Sequence, residues 1–173
     1  SKGLNIVGTK YEQGEYFLSE LIMAAALMKE AMKIVKPLLK SKVDTHIFSR
    51  IAMGTVRGDL HDIGKNIVVA MLEAAGFEVI DLGVDVPTKK FIEAAQKYDA
   101  KILGMSALLS STLPEMTKVI NALKNANLRK VVKVMVGGTP LDEKIAEEMG
   151  ADAYGKDAIE AVRIAKELFK VGD

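Results

Sequence analysis

From Arg50 to the C-terminus, short runs rich in valine and isoleucine alternate five times with stretches whose apolar residues recur at helical spacing. The runs are RIAMGTV (50–56), FEVIDLG (77–83), AKILGMSAL (100–108), KVVKVMVGG (130–138) and the short ADAYG (151–155). Helices are expected between them, over 65–75 and from about Thr88, Leu113, Pro140 and Asp157. Strands that are apolar on both faces and separated by helices require a parallel sheet covered on both sides, with right-handed crossovers. The expected fold is α/β, a doubly wound five-stranded parallel sheet of the flavodoxin-like or Rossmann-like kind.

Local signals support the frame. Thr112-Leu-Pro-Glu115 has the spacing of a capping box, and Thr139-Pro140 places a cap before a proline at a first helical position. Met116, Ile120 and Leu123, with Leu113, give the third helix an inward face. Ahead of the sheet, Leu18, Leu21, Ile22, Ala25, Met28, Met32 and Val35 recur at spacings of three and four, which predicts a helix from Phe17 that ends near Pro37. The expected division is a helical element over 1–43 and a sheet domain over 44–173, joined by the polar segment KSKVDTH (40–46).

Composition removes whole classes of chemistry. The chain has no cysteine, so disulfides, thiolate catalysis and most structural zinc sites are excluded. Lysine plus arginine (24) balances aspartate plus glutamate (23) with the charges scattered, so no nucleic-acid partner is expected. Neither a long apolar span nor a basic flank leading into an apolar core is present, and the expected location is cytoplasmic, away from the membrane.

In such a sheet, ligands bind beyond the carboxyl ends of the strands, near the point where strand order reverses. Three of these ends are chemically unusual: GDLHDIG (58–64), SALLSST (106–112) and VGGTP (136–140). A phosphate-cradling loop fails in the first, because Asp59 stands where its first glycine belongs and Asn66 where a hydroxyl belongs. A dinucleotide fingerprint fails too: the glycine triplet is missing, and Asp59 and Asp62 would repel a pyrophosphate. A phosphoacceptor domain needs an aspartate at the end of the third strand, which reads GMSALLSS. A zinc site held by protein alone is poorly supported, since the second histidine, His46, precedes the first strand. What remains is one histidine with an aspartate two residues before it. That arrangement suits an imidazole giving a single ligand to a metal held mainly by something else.

Asp59-x-His61-x-x-Gly64, then Ser106-x-Leu108 after 41 intervening residues, then Gly137-Gly138 after 28 more, resembles the signature of cobalamin-binding domains. The resemblance implies a cobalamin or related cobamide cofactor, with His61 as lower axial cobalt ligand and Asp59 as its partner. Thr112 would continue that relay, a role that can coexist with capping the helix. Ser106 and Leu108 would line a slot for the nucleotide tail, and Gly137 and Gly138 would leave room for it. Gly58 and Gly64 would serve the backbone turn, and Asp62 would cap a helix and touch the corrin side chains. KYEQGEYFLSELIMAAALMKEAM (10–32) is similar to the later part of a four-helix cap found in methyl-transfer corrinoid proteins, with Phe17, Ala24 and Leu27 at the positions facing the methyl group. The earlier helices of that cap have no counterpart in this sequence, as expected of a trimmed chain.

By that resemblance the chain is a methyl carrier of one-carbon metabolism, not catalytic alone. It would take a methyl group on Co(I) from a donor:corrinoid methyltransferase and pass it from methyl-Co(III) to an acceptor such as a folate or thiol carrier, through a corrinoid:acceptor methyltransferase. A corrinoid reactivation protein is a further expected partner. The cap would move to expose the cofactor, with a hinge in 40–46. The alternatives are the small subunit of an adenosylcobalamin-dependent mutase, against which the cap-like helix argues, and a cobalamin-dependent sensor.

Overall fold

The computed structural model describes residues 2–39 and 48–170. The expected boundary between residues 43 and 44, the hinge over 40–46 and His46 lie outside the described residues. Five parallel strands, β1 (Phe48–Thr55), β2 (Phe77–Asp81), β3 (Ile102–Ser106), β4 (Lys133–Gly137) and β5 (Ala153–Tyr154), pair in the order β2-β1-β3-β4-β5. All four pairings are parallel, as runs apolar on both faces require. Strand order reverses between β1 and β3, so the loops after these two strands flank the crevice where ligands bind.

Among the described residues are seven α-helices: α1 (Lys2–Glu12), α2 (Leu18–Leu39), α3 (Ile63–Ala74), α4 (Thr88–Lys97), α5 (Leu113–Asn125), α6 (Glu143–Met149) and α7 (Ala158–Lys170). Successive strand residues point to opposite faces, and the core divides accordingly. Ala52, Leu103 and Val134 pack with Phe91 of α4 and Met116, Ile120 and Leu123 of α5. Ile51, Met53, Ile102 and Met135 pack on the other face with Leu72 of α3 and Ala165 of α7. Leu4 of α1 and Leu21 and Ala25 of α2 join this second core, which holds the N-terminal helices against the sheet domain.

The helix expected to end near Pro37 is described as far as Leu39, in keeping with that expectation. Three other local expectations are corrected. The inward face of that helix is narrower than the periodicity suggested: Leu21 and Ala25 are buried, while Leu18 and Ile22 are exposed. The helix expected from Pro140 begins at Glu143, where Asp142 Oδ1 accepts the Ile145 N–H at 2.7 Å and does the capping. Thr112 does occupy the N-cap position of α5, but its side chain makes no cap hydrogen bond, so the capping box is not formed. The helix α1 was not foreseen as a separate element.

The turn after β4 is set by backbone crowding. Gly138 has φ +133°, and a Cβ there would lie 1.8 Å from the Ala107 carbonyl oxygen. Gly138→Ala is therefore expected to destabilise the fold by about 3 kcal/mol or more, seen as a lower denaturant midpoint at unchanged slope.

Candidate functional site

The site is built on the turn that follows β1. Gly58 takes φ +82°, which only glycine adopts without strain, and carries the chain from β1 into a tight loop. The loop buries Asp59 completely. Asp59 Oδ1 accepts the His61 backbone N–H at 3.0 Å and the ring Nδ1 at 2.7 Å. Its Oδ2 accepts the backbone N–H groups of Leu108 at 2.7 Å and Leu109 at 3.0 Å, from the loop after β3. One carboxylate thus joins the two strand ends on either side of the reversal point.

Two further side chains brace this turn. Thr55 Oγ1 donates to the His61 carbonyl at 2.9 Å, and Asp85 Oδ1 accepts the Gly58 N–H at 2.7 Å. The Asp85 N–H in turn donates to the Asp59 carbonyl at 3.0 Å, so the loop after β2 grips both sides of Asp59. Asp85 itself has φ +49°, a conformation aspartate tolerates better than most residues. Neither residue was singled out from sequence. Thr55 had a signal, a polar residue ending an apolar strand, whereas Asp85 in VDVP looked like any loop aspartate.

The charge state follows from the hydrogen bonds. Burial pushes the Asp59 pKa up, but the donors from His61, Leu108 and Leu109 outweigh it and hold the carboxyl well below the usual carboxylate range. An ionised Asp59 can only accept, so the His61 Nδ1 must carry a proton. In the neutral imidazole the lone pair then sits on Nε2, which has no hydrogen-bond partner among the described residues. The His61 side chain is 52% exposed, so this nitrogen is placed to bind a metal. Among the described residues no group of three or more His, Cys, Asp or Glu could hold a metal ion. The arrangement therefore fits a metal that brings its remaining ligands with it, as a corrin does.

The surroundings fit a large, flat, partly apolar group. Leu60 and Ile63, flanking His61, are 71% and 77% exposed, and Leu108 and Leu109 are exposed beside them. Such an apolar rim around a polar centre marks a binding surface. A Cβ on Gly64 would meet no atom within 4 Å, so no neighbour in the protein demands glycine there. Its small size reserves space in the wall of a cavity of about 310 Å³, which is also lined by Ser106, Gly137 and Gly138.

The other residues singled out from sequence fall as follows. Leu108 is at the apolar rim and does not line the cavity; its backbone N–H holds Asp59. Thr112 Oγ1 lies 3.4 Å from Asp59 Oδ2, but its single proton is drawn to the Leu109 carbonyl at 2.7 Å. Asp62 stands at the N-cap of α3 without capping it, and accepts instead from the Asn66 side chain at 3.0 Å. Gly137 and Gly138 are required by backbone neighbours, since a Cβ on Gly137 would come within 2.9 Å of the Gly155 carbonyl oxygen. Phe17, just before α2, and Leu27 on α2 are exposed, and Ala24 on α2 is half-buried. Sequence reasoning missed Lys65, whose buried Nζ contacts both Asp81 oxygens and Asn66 Oδ1 at 2.7 Å each.

A family model described as the B12 binding domain matches residues 49–163, and a second of the same description matches residues 1–36. The chain belongs to the B12-binding domain family. The family's cofactor is a corrinoid, and the match spans the His61 turn, the loop after β3 and the paired glycines. The chain is 46% identical over 166 residues to dimethylamine corrinoid protein 1 of Methanosarcina mazei, covering 96% of this chain and 77% of that protein. A crystal structure of a cobalamin-binding protein from Desulfitobacterium hafniense superposes with a TM-score of 0.84 at 38% identity, covering 96% of this chain and 78% of that one. The methanol:cobalamin methyltransferase complex of Methanosarcina barkeri gives a TM-score of 0.83 at 30% identity, over 97% of this chain and 64% of that one. In that structure the B12-binding fold is part of a methyltransferase complex. No described helix is long and apolar enough to cross a membrane.

The Asp59 geometry sets a pH dependence. Its folded pKa lies below the unfolded value of about 3.9, so its contribution is present above that pH and is lost as pH falls through the folded value. Asp59→Asn, which turns an amide N–H toward donors, is expected to cost about 3 kcal/mol at neutral pH. The stability gap between the two proteins should stay constant above about pH 5 and narrow progressively as pH falls below about 4 toward the folded value, as measured by denaturant unfolding across pH.

Proposed function

We propose that this protein is a corrinoid-dependent methyl carrier, resident in the cytoplasm, that works between two methyltransferases. The observation that carries the reading is the His61–Asp59 pair: one half-exposed histidine, its Nδ1 proton fixed by a buried carboxylate and its Nε2 free, at the edge of an apolar rim. A bound corrinoid supplies a cobalt atom able to accept and release a methyl group.

The chain's own residues bind, orient and shield. His61 Nε2 would hold the metal of a bound corrinoid. Asp59 keeps the Nδ1 proton whether Nε2 is engaged or free, so the ring stays aimed through the cycle. Thr55 and Asp85 hold the loop so that binding does not have to pay for ordering it. Leu60, Ile63, Leu108 and Leu109 would offer the corrin an apolar seat, and the cavity beneath would receive the nucleotide tail. Phe17, at the start of α2, and Ala24 and Leu27 on it would face the methyl-bearing side and keep water from it.

A donor:corrinoid methyltransferase loads the carrier and a corrinoid:acceptor methyltransferase unloads it, with a reactivation protein restoring the reduced metal. The named relatives support methyl transfer over radical rearrangement, since they are corrinoid proteins of dimethylamine and methanol systems.

His61→Leu tests the assignment. With methylcobalamin bound, the variant is expected to lose the visible band of a nitrogen ligand below the metal and to bind at least about tenfold more weakly. An unchanged spectrum would overturn the axial role. Isolation of the native protein with an adenosyl group on its corrinoid would overturn methyl carriage.

A further inference from the structure

On the sheet face that meets α3 and α7, the three central strands set Met53, Gly104 and Met135 side by side in one register row. Both methionines are buried, and all three residues line the cavity. A Cβ on Gly104 would lie 3.1 Å from Met53 Cγ and 3.4 Å from Met135 Cε. The space above the glycine is thus already taken by the two methionines, which close over it and give the cavity a floor surfaced by thioethers. Leu21 and Ile164 line the same cavity.

The floor offers little to a polar ligand. The nearby cation, Lys65, is committed to Asp81 and Asn66 at 2.7 Å. At and beyond the strand ends the lining changes: Ser106 and Thr139 bring hydroxyls, and Lys156 and Asp157, after β5, bring one charge of each sign. The cavity is apolar at its floor and polar at its mouth. It therefore suits a ligand whose flat apolar end enters first and whose polar linker follows.

We propose that the Met53-Gly104-Met135 floor selects the lower base of the corrinoid, taking a ring with an apolar edge, such as dimethylbenzimidazole, in preference to adenine. The inference rests on the corrinoid reading above and names the ligand chemistry of that same site. Thioethers make favourable contacts with aromatic rings and adapt to their outline, so an apolar ring is held by them. Adenine brings an exocyclic amine and ring nitrogens that lose their water partners and find no replacement on this floor.

The test is equilibrium binding of the full chain, followed by visible absorbance, to three corrinoids: cobalamin, its adeninyl counterpart, and cobinamide, which has no nucleotide tail. Cobalamin is expected to bind at least about tenfold more tightly than the adeninyl form. Gly104→Ala, whose methyl pushes the flexible methionines up into the cavity, should raise the floor and weaken cobalamin while leaving cobinamide within about twofold. Met135→Gln, which sets an amide in the floor, should narrow the preference. Equal affinity for cobalamin and the adeninyl form overturns the proposal, as does a Gly104→Ala loss that falls equally on cobinamide. Failure of all three corrinoids to bind overturns the corrinoid reading and the proposal together.

Discussion

The Asp59 carboxylate is the constraint on which the rest of the site depends. It is buried without a cation beside it, a position that would be prohibitive for a charge left to itself. Four N–H donors from three residues, His61, Leu108 and Leu109, compensate it, and each donor performs a second task. The His61 ring donor fixes the tautomer and leaves Nε2 as the only lone pair. The Leu108 and Leu109 donors pin the loop after β3 to the turn after β1. The charge that fixes the histidine tautomer is therefore also the charge that ties together the loops after two adjacent strands.

Strand order puts that charge where it can do both. In the order β2-β1-β3-β4-β5, the loops after β1 and β3 leave opposite sides of the reversal point, and a crevice opens between them. Asp59 bridges it at the base, Asp85 reaches in from the loop after β2, and Lys65 ties the first turn of α3 to Asp81 at the end of β2. The Lys65 side chain is 1% exposed, so its positive charge depends on the half-exposed Asp81 carboxylate. Two buried charges of opposite sign, each compensated separately, make the His61 turn rigid from both flanks.

The strand-helix alternation made the fold legible in the sequence, because a sheet buried on both faces has only one way to be covered. The three chemically marked strand ends were legible for a related reason: polar residues and glycines break apolar runs only where the chain turns. The cap geometries were less so. Asp62, Thr112 and Thr139 each match a capping pattern, yet Asp62 pairs with Asn66, Thr112 gives its proton to Leu109, and Asp142 caps the helix that Thr139 was expected to start. A short polar side chain has several backbone partners within reach, and tertiary contacts decide among them. Asp85 was invisible for the same reason, since its partner lies 27 residues earlier in the chain.

The glycines separate what the backbone needs from what a ligand needs. Gly58 is required by its positive φ, and Gly137 and Gly138 by carbonyl oxygens that leave no space for a Cβ. All three would be glycine in an empty protein, so their presence in a motif says nothing by itself about a bound tail. Gly64 is different, because its neighbourhood is open and its φ is not one that calls for glycine. Helix propensity argues against glycine in the first turn of α3, at a cost of about 1 kcal/mol against alanine. A residue that is locally unfavourable and sterically unnecessary in the protein alone is explained by something that must approach the backbone closely. A corrin held by His61, as proposed, would approach the backbone three residues away and supply that reason.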